Sequence, residues 1–252
     1  METIYIWGVK FNPLSKIEFV ENVLELLSKG ITGIHLTGVN SETVSIAQKE
    51  KILQQAILDS DFVNIDNAFI TLALRCLGYK IPERAATPDI FELFLQNANE
   101  KRQSVYFLGA EEHVVKKMVE SIKKTYPNII IAGYRNGFYT SEEEPKIAAN
   151  ISELAPTFLF LGLPTPMKES FILKYKKQIN VGVLYGVGGA FDCKGGKVKR
   201  APQWIGHIGL EGCFRVLQSP SNYGKRVLKY YPRFCSLFLK EIVNRIIKKT
   251  NK

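Results

Sequence analysis

The run Val181–Pro202, VGVLYGVGGAFDCKGGKVKRAP, opens as an apolar, β-branched segment, breaks at Gly186, Gly188 and Gly189, and continues into Lys197, Lys199 and Arg200. Its first half reads as a buried strand ending in a tight turn, because a short apolar run bounded by glycines suits a strand covered on both faces. Its second half admits three readings: a nucleotide-facing turn, a hairpin across KGGK, or the start of a basic arm. Six runs of the same kind precede it, each followed by a helical pattern. They are TIYIWGV before 15–29, GIHLT before 41–58, FVNI before 68–77, SVYFLG before 111–125, NIIIAGY before 143–153 and TFLFLGL before 167–177. This alternation predicts an α/β fold, a Rossmann-like, largely parallel sheet with helices on both faces.

Past about residue 195 the alternation stops and the chain reads as consecutive helices over 203–218, 222–230 and 233–249. Two units follow from this, an α/β domain over 1–195 and a basic helical appendage over 196–252. The charge divides at the same place. From Lys194 onward there are 14 Lys and Arg against only Glu211 and Glu241, whereas the whole chain of 252 residues carries +10. A tail of that kind attracts nucleic acid or an anionic membrane surface, or is a solvated face. Nucleic acid is disfavoured, because the tail holds no nucleic-acid-binding motif and its aromatic residues sit among aliphatic ones. The last helix has an apolar face of Phe234, Leu237, Phe238, Ile242, Val243, Ile246 and Ile247, with Arg233, Lys240, Arg245, Lys248 and Lys249 filling much of the rest. Such a helix either lies on a membrane or docks on its own domain.

With 46% hydrophobic residues the chain can bury a substantial core. Its apolar runs are too short to span a bilayer, and no signal-peptide pattern stands at the N-terminus. Cys76, Cys193, Cys213 and Cys235 are scattered, with no spacing suited to zinc or to a disulfide framework, so a reducing cytoplasm is expected.

In parallel α/β sheets ligands sit beyond the carboxyl ends of the strands, so the residues just after each run carry the most interest. These are Gly38–Asn40, Asp66 with Asn67, Gly109–Glu112, Gly162–Lys168 and Gly186–Asp192. Asp66 either caps the helix starting near Ala68 or serves as general base toward a hydroxyl, with Asn67 suited to a left-handed turn. Arg84 lies just upstream of ATPDIFELF, where Thr87 is expected as N-cap and Pro88 as the first helical residue. There it suits phosphate oxygens, or else pairs with Glu83 or another neighbour. Lys168 and Glu169 open a helix after GLPTP, where a cation can touch a phosphate or sugar and Glu169 is an ordinary helix-start residue. Asp59 and Asp61 have the DxD spacing of some metal-holding enzymes but read more simply as solvated acids. His35, His113 and His207 form no cluster and read as structural or exposed.

The stretch VGGAFDCKGGKVKRAPQWIGHIGLEGCFRVLQSP resembles the signature of the WecG/TagA/CpsF glycosyltransferase family: Gly-Gly-Ala-Phe-Asp, a basic Arg-Ala-Pro element, and a helix running from Gly-Leu-Glu to an arginine. Asn40–Glu42, Asp66, Glu83 with Arg84, Phe107–Gly109, Gly137–Tyr139 and Gly162 through Glu169 support it, so that the resemblance covers about residues 3–235. It implies an inverting, metal-independent enzyme with no cofactor, moving a hexose or N-acetylhexosamine from a UDP-sugar to a polyprenyl-diphosphate-linked acceptor in surface polysaccharide biosynthesis. By the same resemblance Asp66 is the base and Arg84 meets the diphosphate. Asn40 positions the sugar, Gly188, Gly189 and Asp192 lie against the nucleotide, and Gly109 and Lys168 belong to the substrate edge. Arg215 reaches the leaving group, and Arg226 with Lys225 stands near Asn222, where the family has a further arginine. The implied location is peripheral, on the inner face of the cytoplasmic membrane, with the basic appendage resting there. The chain departs from the family at Gly38 (usually threonine), Asn67 (usually glycine), Ala86–Thr87 (usually Thr-Gly) and Lys168 (usually glutamine). These departures leave the donor sugar open and motivate a second reading, a non-catalytic member that binds a nucleotide sugar or a partner. The sequence does not decide between a monomer and a homo-oligomer.

Overall fold

The structure is a computed structural model that describes residues 2–199, 201–202, 205 and 211–250; for Cys213, Asn222, Lys249 and Thr250 it describes the backbone alone. Arg200, His207 and the expected helix start at 203 lie outside the described residues, as does the side chain of Asn222.

The chain begins with an antiparallel hairpin of β1 (Ile4–Ile6) and β2 (Val9–Phe11). TIYIWGV is therefore not a strand of the main sheet. Trp7 and Gly8 have φ of 53° and 71°, and two consecutive left-handed residues reverse the chain as a two-residue hairpin turn requires. The hairpin is tied to the rest where Asn12 N–H donates to the Val63 carbonyl at 2.9 Å and Asn12 Oδ1 accepts from Val63 N–H at 2.7 Å.

Helix α1 (Lys16–Ser28) starts at a capping box, in which Ser15 and Glu18 satisfy each other's backbone N–H. From there the strand and helix alternation holds: β3 (Ile34–Val39), α2 (Ser41–Ala47), α3 (Lys51–Asp59), β4 (Phe62–Ile65), α4 (Ala68–Cys76), α5 (Thr87–Glu100), β5 (Ser104–Gly109) and α6 (Glu112–Thr125). It continues through β6 (Ile130–Arg135), α7 (Glu144–Leu154), β7 (Phe158–Gly162), α8 (Met167–Tyr175), β8 (Val183–Gly186) and the short α9 (Ala190–Lys194). The single helix expected over 41–58 is two, because α2 packs on the C-terminal helix while α3 packs on α8.

Strands β3 to β8 form one sheet in the order β4-β3-β8-β7-β5-β6, with every neighbouring pair parallel. The α/β fold class read from the sequence is therefore the observed one. Successive residues of a strand face opposite sides, and both sides are apolar. Phe107, Phe158, Phe160 and Tyr185 meet Phe19, Phe91 and Phe94 of α1 and α5 on one face. Leu108, Leu161 and Leu184 meet Ile151, Phe171 and Ile172 of α7 and α8 on the other.

The described residues of the appendage comprise α10 (Glu211–Gln218), a π-helical turn at Pro220–Gly224, and α11 (Lys225–Thr250). The break expected between 230 and 233 is absent, since α11 runs through Pro232. Both flanks of that proline are held by the same surface: Tyr231 stacks on Phe69 of α4, and the fully buried Phe234 meets Phe69 and Trp7 edge-on. That shared anchorage outweighs the local preference of proline to end a helix. Nor is KGGK a hairpin. FDCK is helical in α9, and Lys197 and Val198 N–H fold back onto the Asp192 carbonyl.

The chain leaves β5 toward β6 and leaves β7 toward β8, in opposite directions, which makes the carboxyl ends of this adjacent pair the switch point of the sheet, the place where ligands bind in open α/β sheets. Gly109 and Gly162 face each other there. A Cβ on Gly109, whose φ is 134°, would lie 2.5 Å from the Gly162 carbonyl carbon, and a Cβ on Gly162 would overlap the ring of the buried Phe191. Substituting Gly162→Ala therefore forces Phe191 off its site. A loss of about 1–3 kcal/mol is expected, read as a lowered denaturant midpoint at unchanged slope.

Candidate active site

Asp66 stands directly after β4, at the carboxyl edge. It does not cap α4. That role belongs to Asn67, whose Oδ1 accepts from Ile70 N–H at 3.0 Å and whose φ of −118° is extended rather than left-handed. Asp66 is thereby left for the neighbouring helix. Its Oδ1 accepts the Thr87 backbone N–H at 2.7 Å, and its Oδ2 faces Asn40 Nδ2 at 3.4 Å. Thr87 is the first residue of α5 rather than its cap; Ala86 holds the cap position without a side-chain bond, and Asp66 supplies the missing acceptor from across the edge. A carboxylate is favoured at a helix N-terminus, so the arrangement holds this one in a fixed place. Asn40 caps α2 through Thr43 N–H at 2.9 Å and spends its amide on Asp66.

Arg84 does not pair with Glu83, which instead accepts from Lys16 N–H at 2.8 Å. Its partner is Glu211 at the start of α10, with Nη2 2.9 Å from Oε2 and both side chains less than one-fifth exposed. Glu211 also faces Arg215 at 3.7 Å. Arg215 in turn reaches Cys193 Sγ at 3.8 Å, in the short helix α9 that follows β8. Burial works against the Arg215 charge, but Cys193, Tyr223, Glu211 and Asp66 around it outweigh that effect and raise its pKa. Two guanidiniums thus converge on one appendage carboxylate, and Arg215 is close enough to Asp66 to feel its charge.

The appendage closes the same edge further along. Arg226 holds Glu42 with two bonds, 2.8 and 3.0 Å, and its guanidinium lies 5.7 Å from the Tyr223 ring centroid. Burial, with Tyr231 beside it, pushes the Tyr223 phenol up to about 12. Asn67 Nδ2 reaches Ser41 Oγ at 3.0 Å and Tyr231 Oη at 3.4 Å.

Lys168 is buried and paired with Glu169 and Thr165, and its methylenes lie against Gly186 and Gly188. Glu169 Oε2 and Thr37 Oγ1 are buried without a hydrogen-bond partner. Thr37 is in register with Gly186, so the two face the same side of the sheet. Gly188 needs its φ of +50°, whereas a side chain on Gly189 would meet open space. Gly109 serves the close approach of β5 and β7.

The sequence-predicted residues thus divide. Asp66 and Asn40 meet beside Thr87, and Arg84 and Arg215 meet at Glu211. Lys168, Gly188, Gly189 and Asp192 line the β7 and β8 ends, and Arg226 is engaged by Glu42. Asp59 and Asp61 lie at the opposite edge, Asp59 paired with Lys176 at 2.5 Å and Asp61 accepting His35 N–H at 2.8 Å. Among the described residues no cluster of metal-ligating side chains occurs. His35 is buried and its pKa falls to about 3 through desolvation, while His113 sits beside Glu111 at 3.5 Å. Glu211, Glu42, Thr87 and Tyr223 were missed as site residues. Glu211 stood in the quoted signature, but nothing local announces that its partner is Arg84.

Asp192 is half-buried, and desolvation raises its pKa above the ordinary 3.8. A carboxyl raised on folding stabilises the fold fully only below its unfolded value and loses that contribution as pH rises through the folded value. Asp192→Asn is therefore expected to raise Tm at pH 7, the gain shrinking to nothing below about pH 3.8. Melting curves across that range check it.

Comparison with known proteins bears on this edge as a whole. The family model described as "Glycosyl transferase WecG/TagA/CpsF family" matches residues 4–248. The N-acetylglucosaminyldiphosphoundecaprenol N-acetyl-β-D-mannosaminyltransferase of Bacillus subtilis (strain 168) is 32% identical over 245 residues, 97% of this chain and 93% of that one. The proteins of the same name from Bacillus spizizenii (strain ATCC 23059 / NRRL B-14472 / W23) and Staphylococcus aureus (strain MW2) are 29% and 26% identical, covering 90% and 91% of this chain and 90% and 89% of theirs. With a family match over residues 4–248 and a 32% identical relative covering 97% of it, the chain belongs to the WecG/TagA/CpsF family of glycosyltransferases.

Proposed function

We propose that this glycosyltransferase moves a sugar from a UDP-sugar onto a polyprenyl-diphosphate-linked acceptor, with Asp66 as general base. The observation that carries the reading is the Asp66 carboxylate, held at the strand edge by Thr87 N–H and Asn40, with Arg84 and Arg215 gathered on Glu211 and the Arg215 charge within reach of Asp66. An acceptor hydroxyl gives its proton to Asp66 as its oxygen attacks the anomeric carbon. The anomeric carbon–oxygen bond to the nucleotide diphosphate breaks from the opposite face, so configuration inverts, and the electron pair leaves with the diphosphate. Arg84 and Arg215 meet that departing charge, already oriented and largely shielded from water. The relatives' names supply the acceptor class, an N-acetylglucosaminyl-diphosphate lipid, as the first to test.

The same reading places the appendage on an anionic membrane surface, and one stripe of α11 supports this. Leu228, Leu239, Val243 and Ile246 are more than half exposed and fall on one side of the helix at 3.6 residues per turn. Lys225, Lys229 and Lys240 flank them. Phe234, Leu237, Phe238 and Ile242 meanwhile dock on the domain, so the helix presents one apolar face inward and another outward. No helix among the described residues is long and apolar enough to cross a membrane.

Offered a panel of UDP-sugars with the lipid-diphosphate acceptor, the wild type is expected to release UDP with at least one donor. Asp66→Asn should lower kcat by about 10²–10⁴-fold, the usual reach of a general base. Equal turnover of the two proteins would remove Asp66 from that role, and no turnover with any donor would favour a binding-only member. EDTA is expected to leave turnover unchanged; a loss restored by a divalent ion would overturn the arginine-only account of the leaving group. In liposome flotation with anionic vesicles, a chain ending near Ser219 should stay at the bottom where the full chain floats.

A further inference from the structure

Gly38, near the end of β3, and Thr87, at the start of α5, compete for one space. A Cβ on Gly38 would overlap Thr87 Oγ1, and it would lie 3.2 and 3.3 Å from the amide atoms of Asn64. The space is instead filled by a chain of hydrogen bonds. Tyr185 Oη donates to Asn64 Oδ1 at 3.0 Å. Asn64 Nδ2 donates to Thr87 Oγ1 at 3.1 Å and, with its other hydrogen, to the Ala85 carbonyl at 2.7 Å. Asn64 thus links the phenol to the threonine hydroxyl, each group donating to the next.

Asn64 and Tyr185 are fully buried and Thr87 nearly so. Burial also pushes the Tyr185 phenol well above its ordinary pKa, which keeps on it the proton that it donates to Asn64. The Asn64 oxygen and both its amide hydrogens thus have partners, and such a buried amide is stiff, because any rotation leaves a group unpaired in a place water cannot reach. The chain's outlet to the site is the Thr87 backbone N–H, bound to Asp66 Oδ1 at 2.7 Å.

We propose that Thr87 is the positioning residue for Asp66: its hydroxyl, held by Asn64 and through it by Tyr185 in the space left by Gly38, locks the first amide of α5 onto the carboxylate. The inference rests on Asp66 being the base of the proposed reaction. It also links Gly38 to Thr87 sterically, since a side chain at 38 would occupy the space of the Thr87 hydroxyl.

The test is a set of full-length variants assayed for UDP release with saturating lipid-diphosphate acceptor. Thr87→Ala keeps the amide but removes the hydroxyl held by Asn64, and kcat is expected to fall about tenfold while the donor KM stays within twofold. Thr87→Ser should recover most of that loss. Gly38→Ser alone should cost at least as much as Thr87→Ala, because its side chain overlaps the threonine. Combined with Thr87→Ala it returns a hydroxyl from the strand side, and at least half of the loss should be regained. Amide hydrogen exchange at residue 87, followed by NMR without substrate, should quicken at least tenfold in Thr87→Ala and be restored in the combined variant. Unchanged kcat in Thr87→Ala, unchanged exchange at residue 87, or a combined variant no better than the single one would each overturn the proposal. The exchange arm does not depend on turnover, so a failure of Asp66 as base, seen in Asp66→Asn, is distinguishable from a failure of the lock.

Discussion

All six strands of the central sheet run in one direction, and this constraint places every strand end that can face a ligand on one edge. It also brings helix N-termini to that edge, each with amide hydrogens that lack an intrahelical acceptor. Asp66 answers one of them at α5, and Asn40 and Asn67 answer α2 and α4 with their own side chains. The three residues look alike in sequence, short and polar after a strand. Only the two asparagines cap their own helices, which leaves the aspartate oriented by a helix it does not belong to. Its placement therefore depends on how β4 and α5 pack.

Two kinds of interaction hold the appendage, and their magnitudes differ. Phe234 is fully buried among Trp7, Phe69 and the apolar faces of α2 and α4, and such a side chain contributes about 1.5–3 kcal/mol from burial alone. The Arg226–Glu42 pair is bidentate, but its arginine is more than half exposed, and pairs of that kind contribute at most about 1 kcal/mol. Docking is thus mainly apolar. The ion pairs set where the helices come to rest, and Glu211 matters for what it gathers, since it keeps Arg84 of the domain and Arg215 of the appendage side by side. The buried Lys168–Glu169 pair at the ends of β7 and β8 contributes specificity of arrangement more than stability, because desolvating two charges offsets much of their attraction.

The sheet was legible because parallel strands buried on both faces leave continuous apolar runs, and six of the seven expected runs are its strands. The seventh, TIYIWGV, carries the same apolar signal, but its Trp-Gly turn reverses the chain, and no period within seven residues separates a hairpin from a strand. The proline of α11 misled in the other direction, since a local breaker yields when both sides of it are anchored. At the edge, Asp66 stood out in the sequence by its position after a strand, Arg84 by its place ahead of a helix start and Arg215 by the family resemblance. Thr87 was read as a helix cap and Gly38 as a departure. Their relation is a contact between elements far apart in sequence, which no local pattern encodes.

By itself, then, the sequence determined the α/β class, the carboxyl edge as the place of interest, the change of character near residue 195 and the family, because these rest on periodicity, charge and motif order along the chain. The tertiary structure alone decided that Asn67 caps its helix while Asp66 is held by another, that Glu211 joins Arg84 to Arg215, and that Gly38 makes room for the Thr87 hydroxyl. Those are properties of side chains meeting across elements, where sterics and the satisfaction of buried hydrogen bonds operate in space rather than along the sequence.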